Sequence, residues 1–252
     1  MEVVIVTGAS KGLGAALVEQ LLSPERRVIG IARSANDALA DTARTRGAWL
    51  DWYLQDLSDV QATDALAASI CDGLPRDATR YVLVNNAALA EPIGPIAALD
   101  ATAVIRAIDA NLTAAIILTT RFLAATAPLD ADRRVLNISS GLARRPMDGT
   151  AVYCASKAGL DMFTRCINAE PDDPARALRR ARAVSLAPGV IDTGMQVTLR
   201  GQDPAAFPQG ANFAAMKAGG QLVAPADVAA RIVAYLARAD FGATELDDIR
   251  NA

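Results

Sequence analysis

Tyr153 and Lys157 stand four residues apart in the run Tyr153-Cys154-Ala155-Ser156-Lys157. On a helix that spacing projects both side chains from one face. A free phenol ionises at about pH 10 and transfers protons poorly at neutral pH, but a positive charge beside it stabilises the phenolate and draws its pKa down. The chain contains no histidine. Proton transfer near neutrality therefore falls to a carboxylate, a cysteine, a lysine or a tuned tyrosine, and the Tyr-x-x-x-Lys pair is the best placed of these. Taken alone, the pair reads more simply as a partly buried tyrosine beside a surface lysine. Its weight comes from the elements around it.

The first of those elements is Val3-Val4-Ile5-Val6, a β-branched run consistent with a buried strand. It ends in Thr7-Gly8-Ala9-Ser10-Lys11-Gly12-Leu13-Gly14, and residues 15–22 read as helix. Strand, glycine-rich turn and helix together make a phosphate site. The glycines let the backbone come close, and the helix N-terminus supplies N–H groups and a favourable dipole. Gly8, Ser10, Lys11, Gly12, Leu13 and Gly14 are thus candidate contacts of a dinucleotide pyrophosphate. The second strand is Arg27-Val28-Ile29-Gly30-Ile31-Ala32. A carboxylate at its end would hold the ribose 2′-hydroxyl of NAD, but Ala32 and Arg33 stand there. An arginine attracts a 2′-phosphate and can bind it bidentately, and Lys11 adds a second positive charge. Each alone reads as a solvated cation; together they favour NADPH/NADP+.

Residues 50–55 read as a third strand. Asp56-Leu57 follows, where Asp56 either accepts from an adenine amino group or caps a helix at 59–70. A fourth strand, 81–84, runs into Asn85-Asn86-Ala87-Ala88, whose amides either cross-link strand ends or make a turn. A long helix at 100–125 contains Asn111, a mediocre helix former whose place mid-helix calls for a reason. The fifth strand, 134–138, ends in Ser139-Ser140-Gly141, and a loop at 141–150 leads into the Tyr153 helix. Residues 171–182 read as an exposed connection with a short helix. The sixth strand, 182–186, is broken by Pro188-Gly189. Residues 194–222 show no strand pattern but carry Met195, Leu199, Phe207, Phe213 and Met216; a long irregular segment of that kind is usually functional. A final amphipathic helix starts at Pro225, and a short strand is expected within 241–252. The alternation predicts a single-domain α/β fold, a doubly wound parallel β-sheet of the Rossmann type over 1–252.

The totals agree. A chain of 252 residues, 52% apolar, suits one large α/β domain with a sizeable core. Its net charge of −3 argues against a nucleic-acid partner, which needs a basic face. Cys71, Cys154 and Cys166 lack metal-ligand spacing, and without histidine no zinc site is expected. No leader sequence and no apolar run of membrane-spanning length is apparent, so a cytoplasmic protein with no membrane partner is expected.

In order and spacing these motifs resemble the short-chain dehydrogenase/reductase family over essentially the whole chain. The matching stretches are Thr7–Gly14, Asp56-Leu57, Asn85-Asn86-Ala87, Asn111, Ser139-Ser140, Tyr153-x-x-x-Lys157 and Pro188–Thr193. The resemblance implies that Tyr153 protonates the carbonyl oxygen during reduction, and that Ser140, rather than Ser139, holds that oxygen. It implies that Lys157 lowers the Tyr153 pKa and binds the nicotinamide ribose, and that Asn111 keeps a water-linked proton relay to Lys157. It sets Asp56, Leu57, Asn86, Ala87, Pro188, Gly189, the Ile191 backbone and the Thr193 hydroxyl against the cofactor. Ala88 departs from the family's usual glycine, a small change in a turn. The stretch Tyr153–Phe163, with Asp192-Thr193-Gly194-Met195-Gln196, is similar to the sepiapterin reductase and benzil reductase branch, NADPH-dependent reductases of vicinal dicarbonyls. That implies a small carbonyl substrate covered by 194–220, with Asp247 or Asp248 as a substrate anchor. Alternatives are a hydroxysteroid reductase, a 3-oxoacyl thioester reductase docking through Arg133, Arg134, Arg144 and Arg145, and a non-catalytic NADP-binding sensor. A homodimer paired through the helices at about 100–125 and 153–169 is expected, with monomer or tetramer as alternatives.

Overall fold

The apolar runs become six strands, β1 (Glu2–Thr7), β2 (Arg26–Ala32), β3 (Trp49–Leu54), β4 (Arg80–Asn85), β5 (Asp132–Ile138) and β6 (Arg182–Ala187), with a short β7 (Leu246–Asp248) at one edge. All pairings are parallel and the order is β3-β2-β1-β4-β5-β6-β7. The structure, a computed structural model, describes residues 1–171 and 181–251. The short helix expected within 171–182 falls on residues outside these.

Helices cover both faces of the sheet. On one side Val4 and Val6 pack with Leu17 and Val18 of α1 (Gly12–Leu21) and with Ile232 and Leu236 of α9 (Pro225–Ala237). On the other, Val3 and Ile5 meet Ile70 of α3 (Val60–Asp72) and Leu118 and Phe122 of α5 (Ala114–Thr126). No face meets water, so β1 shows no polar alternation. Alternation therefore cannot fix its register. Ion pairs at the strand starts do so instead: Glu2 binds Arg26 at 2.6 Å, and Asp132 binds Arg80 at 2.9 Å and both Arg134 and Arg182 at 2.7 Å. Burial alone would raise the Asp132 carboxyl; three guanidinium groups outweigh it and hold it down at about 2. Arg133 and Arg134 are thus buried structural residues, 4% and 2% exposed. Of the four arginines from which a basic docking patch was expected, these two are not on the surface, while Arg144 and Arg145 are exposed.

Three further differences have local causes. A helix not anticipated in the sequence, α2 (Asp37–Thr45), is capped by the Asn36 side chain, which accepts from Leu39 N at 3.1 Å, and buries only Leu39 and Ala43. Its mostly exposed positions left little apolar periodicity to read. The helix expected at 100–125 is α4 (Ala101–Ile108) and α5, joined by a π-helical turn at Asp109–Thr113. Contrary to expectation, the run Ala101–Thr126 is apolar enough by length and composition to cross a membrane. Its Ala114, Leu118 and Phe122 face the sheet, however, and supply the core.

The segment 194–222 holds α7 (Gly194–Arg200) and α8 (Gly210–Ala218). Phe207, fully buried, stacks on Phe213 with centroids 6.1 Å apart, and Leu199 and Ala90 complete a separate small core. Burying a phenylalanine stabilises by about 2–3 kcal/mol, so this segment is a packed cover and not a loose excursion. It sits at the end of the molecule where the chain crosses from β1 outward in both directions. The carboxyl ends of β1 and β4 diverge there and leave a crevice.

Candidate active site

Gly8 and Gly12 adopt φ of +65° and +57°, a region that disfavours side chains. Gly14 is there for closeness: a Cβ on it would lie 2.1 Å from Gly8 O and 2.6 Å from Asn86 Nδ2. The turn thus lies flat against α1 and β4. Asn86 Nδ2 donates to Thr7 O at 2.8 Å, while Thr7 Oγ1 accepts from Asn86 N and Ala87 N at 2.9 and 3.0 Å. Asn85 Nδ2 donates to Asn137 Oδ1 at 2.8 Å and Thr119 Oγ1 at 3.0 Å. The paired asparagines therefore cross-link strand ends, as one of the two sequence readings had it.

The start of α1 is left open. Asn36, Asp59 and Asp100 cap α2, α3 and α4 with side-chain oxygens. Lys11 stands at the α1 N-cap and supplies none. Free N–H groups, the helix dipole and a nearby ammonium suit a pyrophosphate. Arg33 is exposed at the end of β2 and lines the same cleft. Asp56 does not cap α3; Asp59 does, accepting from Ala62 N at 3.0 Å. Burial would raise the Asp56 carboxyl, but the Ser58 amide and hydroxyl, Arg106 and Arg33 hold it below its ordinary value. These features fit a nicotinamide dinucleotide.

On the far lip, α6 (Ala151–Ala169) carries Tyr153 and Lys157 on one face. Lys157 is 2% exposed, and its Nζ donates to Ile138 O at 2.7 Å and lies 5.8 Å from the Tyr153 ring centroid. Burial pulls its pKa down from 10.5 to about 8, and Asp161 opposes this. Burial pushes the Tyr153 phenol up to about 12, partly offset by its hydrogen bond with Ser140. The expected lowering of Tyr153 is thus corrected in this state: desolvation of the phenol outweighs its hydrogen bond with Ser140. Of the two serines, Ser140 meets the phenol. Ser139 Oγ instead donates to Asp161 Oδ1 at 2.5 Å, an oxygen that also accepts from Ser185 Oγ at 2.6 Å.

Asn111 is buried in the π-helical turn. Its Nδ2 donates to Leu89 O at 2.8 Å and to Ser156 Oγ at 3.2 Å, and its Oδ1 accepts from Leu89 N at 2.7 Å. That stitch is the physical reason for an asparagine in mid-helix. Asn111 lies behind the cleft wall. Every other residue put forward from the sequence for catalysis or cofactor binding lines one cavity of about 550 Å³, including Ser10, Leu13, Leu57, Pro188, Gly189, Ile191 and Thr193. The remaining lining includes Arg145 and Met147 from the 141–150 loop, and Met195, Gln196, Leu199, Phe213 and Met216 from the cover. Met147 carries no motif and went unremarked in the sequence, and Arg145 was put forward only for a docking patch; only the fold shows that their loop overhangs the cleft. Neither C-terminal aspartate lines it. Asp247 accepts from Tyr235 Oη at 2.8 Å, and Asp248 binds Arg250 at 2.5 Å; of these it is Arg250 that reaches the cavity.

The fold and the cleft define the class: an oxidoreductase of the dinucleotide-binding α/β type. A family model described as short chain dehydrogenase matches residues 2–204, and the chain belongs to that family. It is 35% identical over 242 residues to a benzil reductase ((S)-benzoin forming) of Bacillus cereus, covering 96% of each chain. It is 32% identical over 209 residues to the sepiapterin reductase of Bos taurus, covering 78% of this chain and 75% of that one. A solved short-chain dehydrogenase/reductase from Burkholderia vietnamiensis superposes with a TM-score of 0.65 at 34% identity, covering 99% and 97%.

Proposed function

We propose that the protein is an NADPH-dependent carbonyl reductase acting on vicinal dicarbonyls of the benzil or sepiapterin kind. The observation that carries this reading is the convergence of Ser140, Tyr153 and Lys157 in a cleft whose cover is methionine, leucine and phenylalanine. Similarity to benzil and sepiapterin reductases supports the substrate class.

NADPH would lie along the α1 turn, with Gly8, Ser10, Gly12, Leu13 and Gly14 at the pyrophosphate and Lys11 and Arg33 at the 2′-phosphate. Asp56 and Leu57 would meet the adenine, Asn86 and Ala87 the adjoining ribose. Pro188, Gly189, the Ile191 backbone and the Thr193 hydroxyl would hold the carboxamide end. When bound, the nicotinamide supplies the hydride. A phenol that ionises at about 12 stays protonated throughout the physiological range, so Tyr153 is a donor to the carbonyl oxygen as that oxygen gains charge. The Ser140 hydroxyl steadies the same oxygen. Lys157 binds the ribose and stabilises the phenolate left behind. Asn111 is the far end of a water-linked path that returns a proton to Lys157; its bond to Ser156, the residue before Lys157, supports that placement. The cover at 194–220 excludes water from the exchange.

Ile105 and Met162, 62% and 54% exposed on α4 and α6, support a homodimer through these helices. Three unpaired cysteines are in keeping with a cytoplasmic setting. Initial rates with NADPH and NADH, on benzil, an aliphatic diketone, sepiapterin and an acetoacetyl thioester, test the reading. Turnover of a diketone or sepiapterin with NADPH preference is expected. Activity on the thioester alone would refute the substrate class, and NADH preference would refute the role of Arg33 and Lys11.

A further inference from the structure

Arg144 and Arg145 are neighbours in the chain and are used differently. Arg144 turns into the protein, where its Nε donates to Asp161 Oδ2 at 3.0 Å and its Nη2 to Ser185 O at 3.5 Å. Arg145 lines the cavity. Its Nη2 lies over Gly141, 3.4 Å from where a Cβ on that glycine would stand, and Gly141 directly follows Ser140. Arg145 is exposed and makes neither a hydrogen bond nor an ion pair among the described residues. The loop that presents it is held at several points. Ser140 Oγ accepts from Leu142 N at 3.1 Å, Thr150 Oγ1 donates to Met147 O at 2.9 Å, and Gly149 O accepts from Gly94 N at 2.9 Å. The bond from Arg144 to Asp161 fixes the backbone from which Arg145 projects.

The charges along the cleft fall into two groups. Arg33, Arg145 and Arg250 all line it. Arg250 is engaged by Asp248 at 2.5 Å. Arg33, at the end of β2, belongs with Lys11 at the cofactor end. Arg145 stands at the other end, beside Ser140 and on the same loop as Met147, which packs with the apolar cover of Leu199, Phe207 and Phe213. Glu91, next to Ala90 of that small core, also lines the cavity, but no ion pair joins it to Arg145 among the described residues.

From this we infer that Arg145 is a specificity-determining residue, and that the dicarbonyl this site takes bears an oxyanion substituent, a carboxylate or a phosphate. The inference rests on the carbonyl-reductase reading above. A guanidinium offers two parallel N–H groups that match an oxyanion bidentately, in a plane that fixes its direction. An anionic group drawn under an apolar cover without a counter-charge is costly to desolvate. Arg145 supplies that charge at the rim, so the rest of the substrate enters the apolar part. Ser140 and Tyr153 hold the reacting oxygen, and Arg145 is a second point of attachment that orients the carbonyl between them. A neutral diketone is held at the first point alone. Arg145 thus selects acidic dicarbonyls over neutral ones of similar shape.

The test uses benzils that carry a carboxylate or a phosphonate on one ring, at the 3- or the 4-position, each set against its neutral methyl ester. The readout is the ratio of kcat/KM for acid to that for ester. Wild type is expected to favour at least one acid about tenfold or more, the worth of one charge-assisted hydrogen bond, and the larger of the carboxylate and phosphonate ratios names the group. Arg145→Met is expected to bring that ratio close to one, and Arg145→Lys to restore part of it. The wild-type preference should shrink as salt is raised. Tm should hold in the variants, because the side chain removed has no partner. An equal loss on acid and ester, or a raised KM for NADPH with the ratio unchanged, would assign Arg145 to cleft shape or to the cofactor and overturn the inference. Arg145→Gln gives the same reading should the methionine variant fold poorly, and failure of both to fold would make the residue structural, which also overturns it. Wild type that reduces benzil but shows no preference for any acid sinks this inference alone; wild type inert towards every diketone sinks the carbonyl-reductase reading with it.

Discussion

The lysine that completes the site is also a weak point in the fold. Lys157 is 2% exposed, and burial brings its pKa from 10.5 to about 8. At about 1.4 kcal/mol for each tenfold change in proton affinity, that displacement corresponds to a cost of about 3 kcal/mol for folding around a charged Lys157. The sign follows from proton binding. Below pH 8 both folded and unfolded chains hold the proton, and the cost is present in full. Between about 8 and 10.5 the folded lysine is neutral while the unfolded one is still charged. The unfolded state then binds more protons, and stability rises with pH through that window. Replacing the lysine with methionine removes the charge and keeps the packing, but forfeits the 2.7 Å bond from Nζ to Ile138 O, worth about 1–2 kcal/mol. The net gain at pH 7 is about 1–2 kcal/mol, or about 3–6 °C in Tm for a chain of this size.

Thermal melts of wild type and Lys157→Met, both freed of cofactor, from pH 6.5 to 10 test this. The variant should be the more stable at pH 7, and its advantage should shrink above pH 8. Near pH 10 it should reverse, because only the lost bond remains. Tyr153, raised to about 12, destabilises the fold as pH climbs past 10, but it does so in both proteins and cancels in the comparison. A lower Tm for the variant at pH 7, or a difference that does not change with pH, would refute the desolvation argument.

Other substitutions separate chemistry from structure. Tyr153→Phe should lower kcat by about 10²–10⁴ while NADPH still binds with near wild-type affinity, read by nucleotide fluorescence; near-full turnover would remove Tyr153 as donor. Gly14→Ala places a Cβ 2.1 Å from Gly8 O, and should cost about 1–3 kcal/mol in stability and weaken NADPH binding, read by melting and titration. Asp161→Asn turns an amide donor toward Arg144 Nε, now 3.0 Å from Oδ2; a loss of about 3 kcal/mol is expected, with the limb of the pH–rate profile set by Lys157 moving lower. Arg33→Ala should raise KM for NADPH about tenfold or more, an effect that shrinks in high salt, with little change for NADH.

The strands were legible because Val3–Val6, Val28–Ala32 and Val82–Val84 are apolar without interruption, as a sheet covered on both faces requires. The site was legible because its residues must be of particular kinds. Gly14 has no room for a Cβ, and Asn86 must reach Thr7 O. What stayed hidden depends on facing direction. Asp247 and Asp248 are carboxylates in the right part of the chain, but they are engaged by Tyr235 and Arg250 and do not line the cavity themselves. Arg133 and Arg134 look basic in sequence and are consumed as internal ties, Arg134 to Asp132 and Arg133 to the carbonyls of Thr126 and Leu129. The shift of Tyr153 depends on burial, which spacing along one helix does not report.

Two features that weaken the fold face one cavity. The α1 N-terminus has no side-chain cap, and Lys157 is charged and desolvated. Asn36, Asp59 and Asp100 close their own helices with side-chain oxygens, which Lys11 does not do for α1. Each deficit matches a different part of a bound complex: phosphate oxygens for the free N–H groups, ribose hydroxyls and a phenolate for the ammonium. Ligands that fill them bind the folded state alone and stabilise it by RT ln(1 + [L]/Kd), about 2.7 kcal/mol at a hundredfold excess over Kd. The stability given up at the cleft is thereby recovered on binding, so NADPH should raise Tm in wild type, and should raise it less in Gly14→Ala, where the phosphate turn itself is displaced.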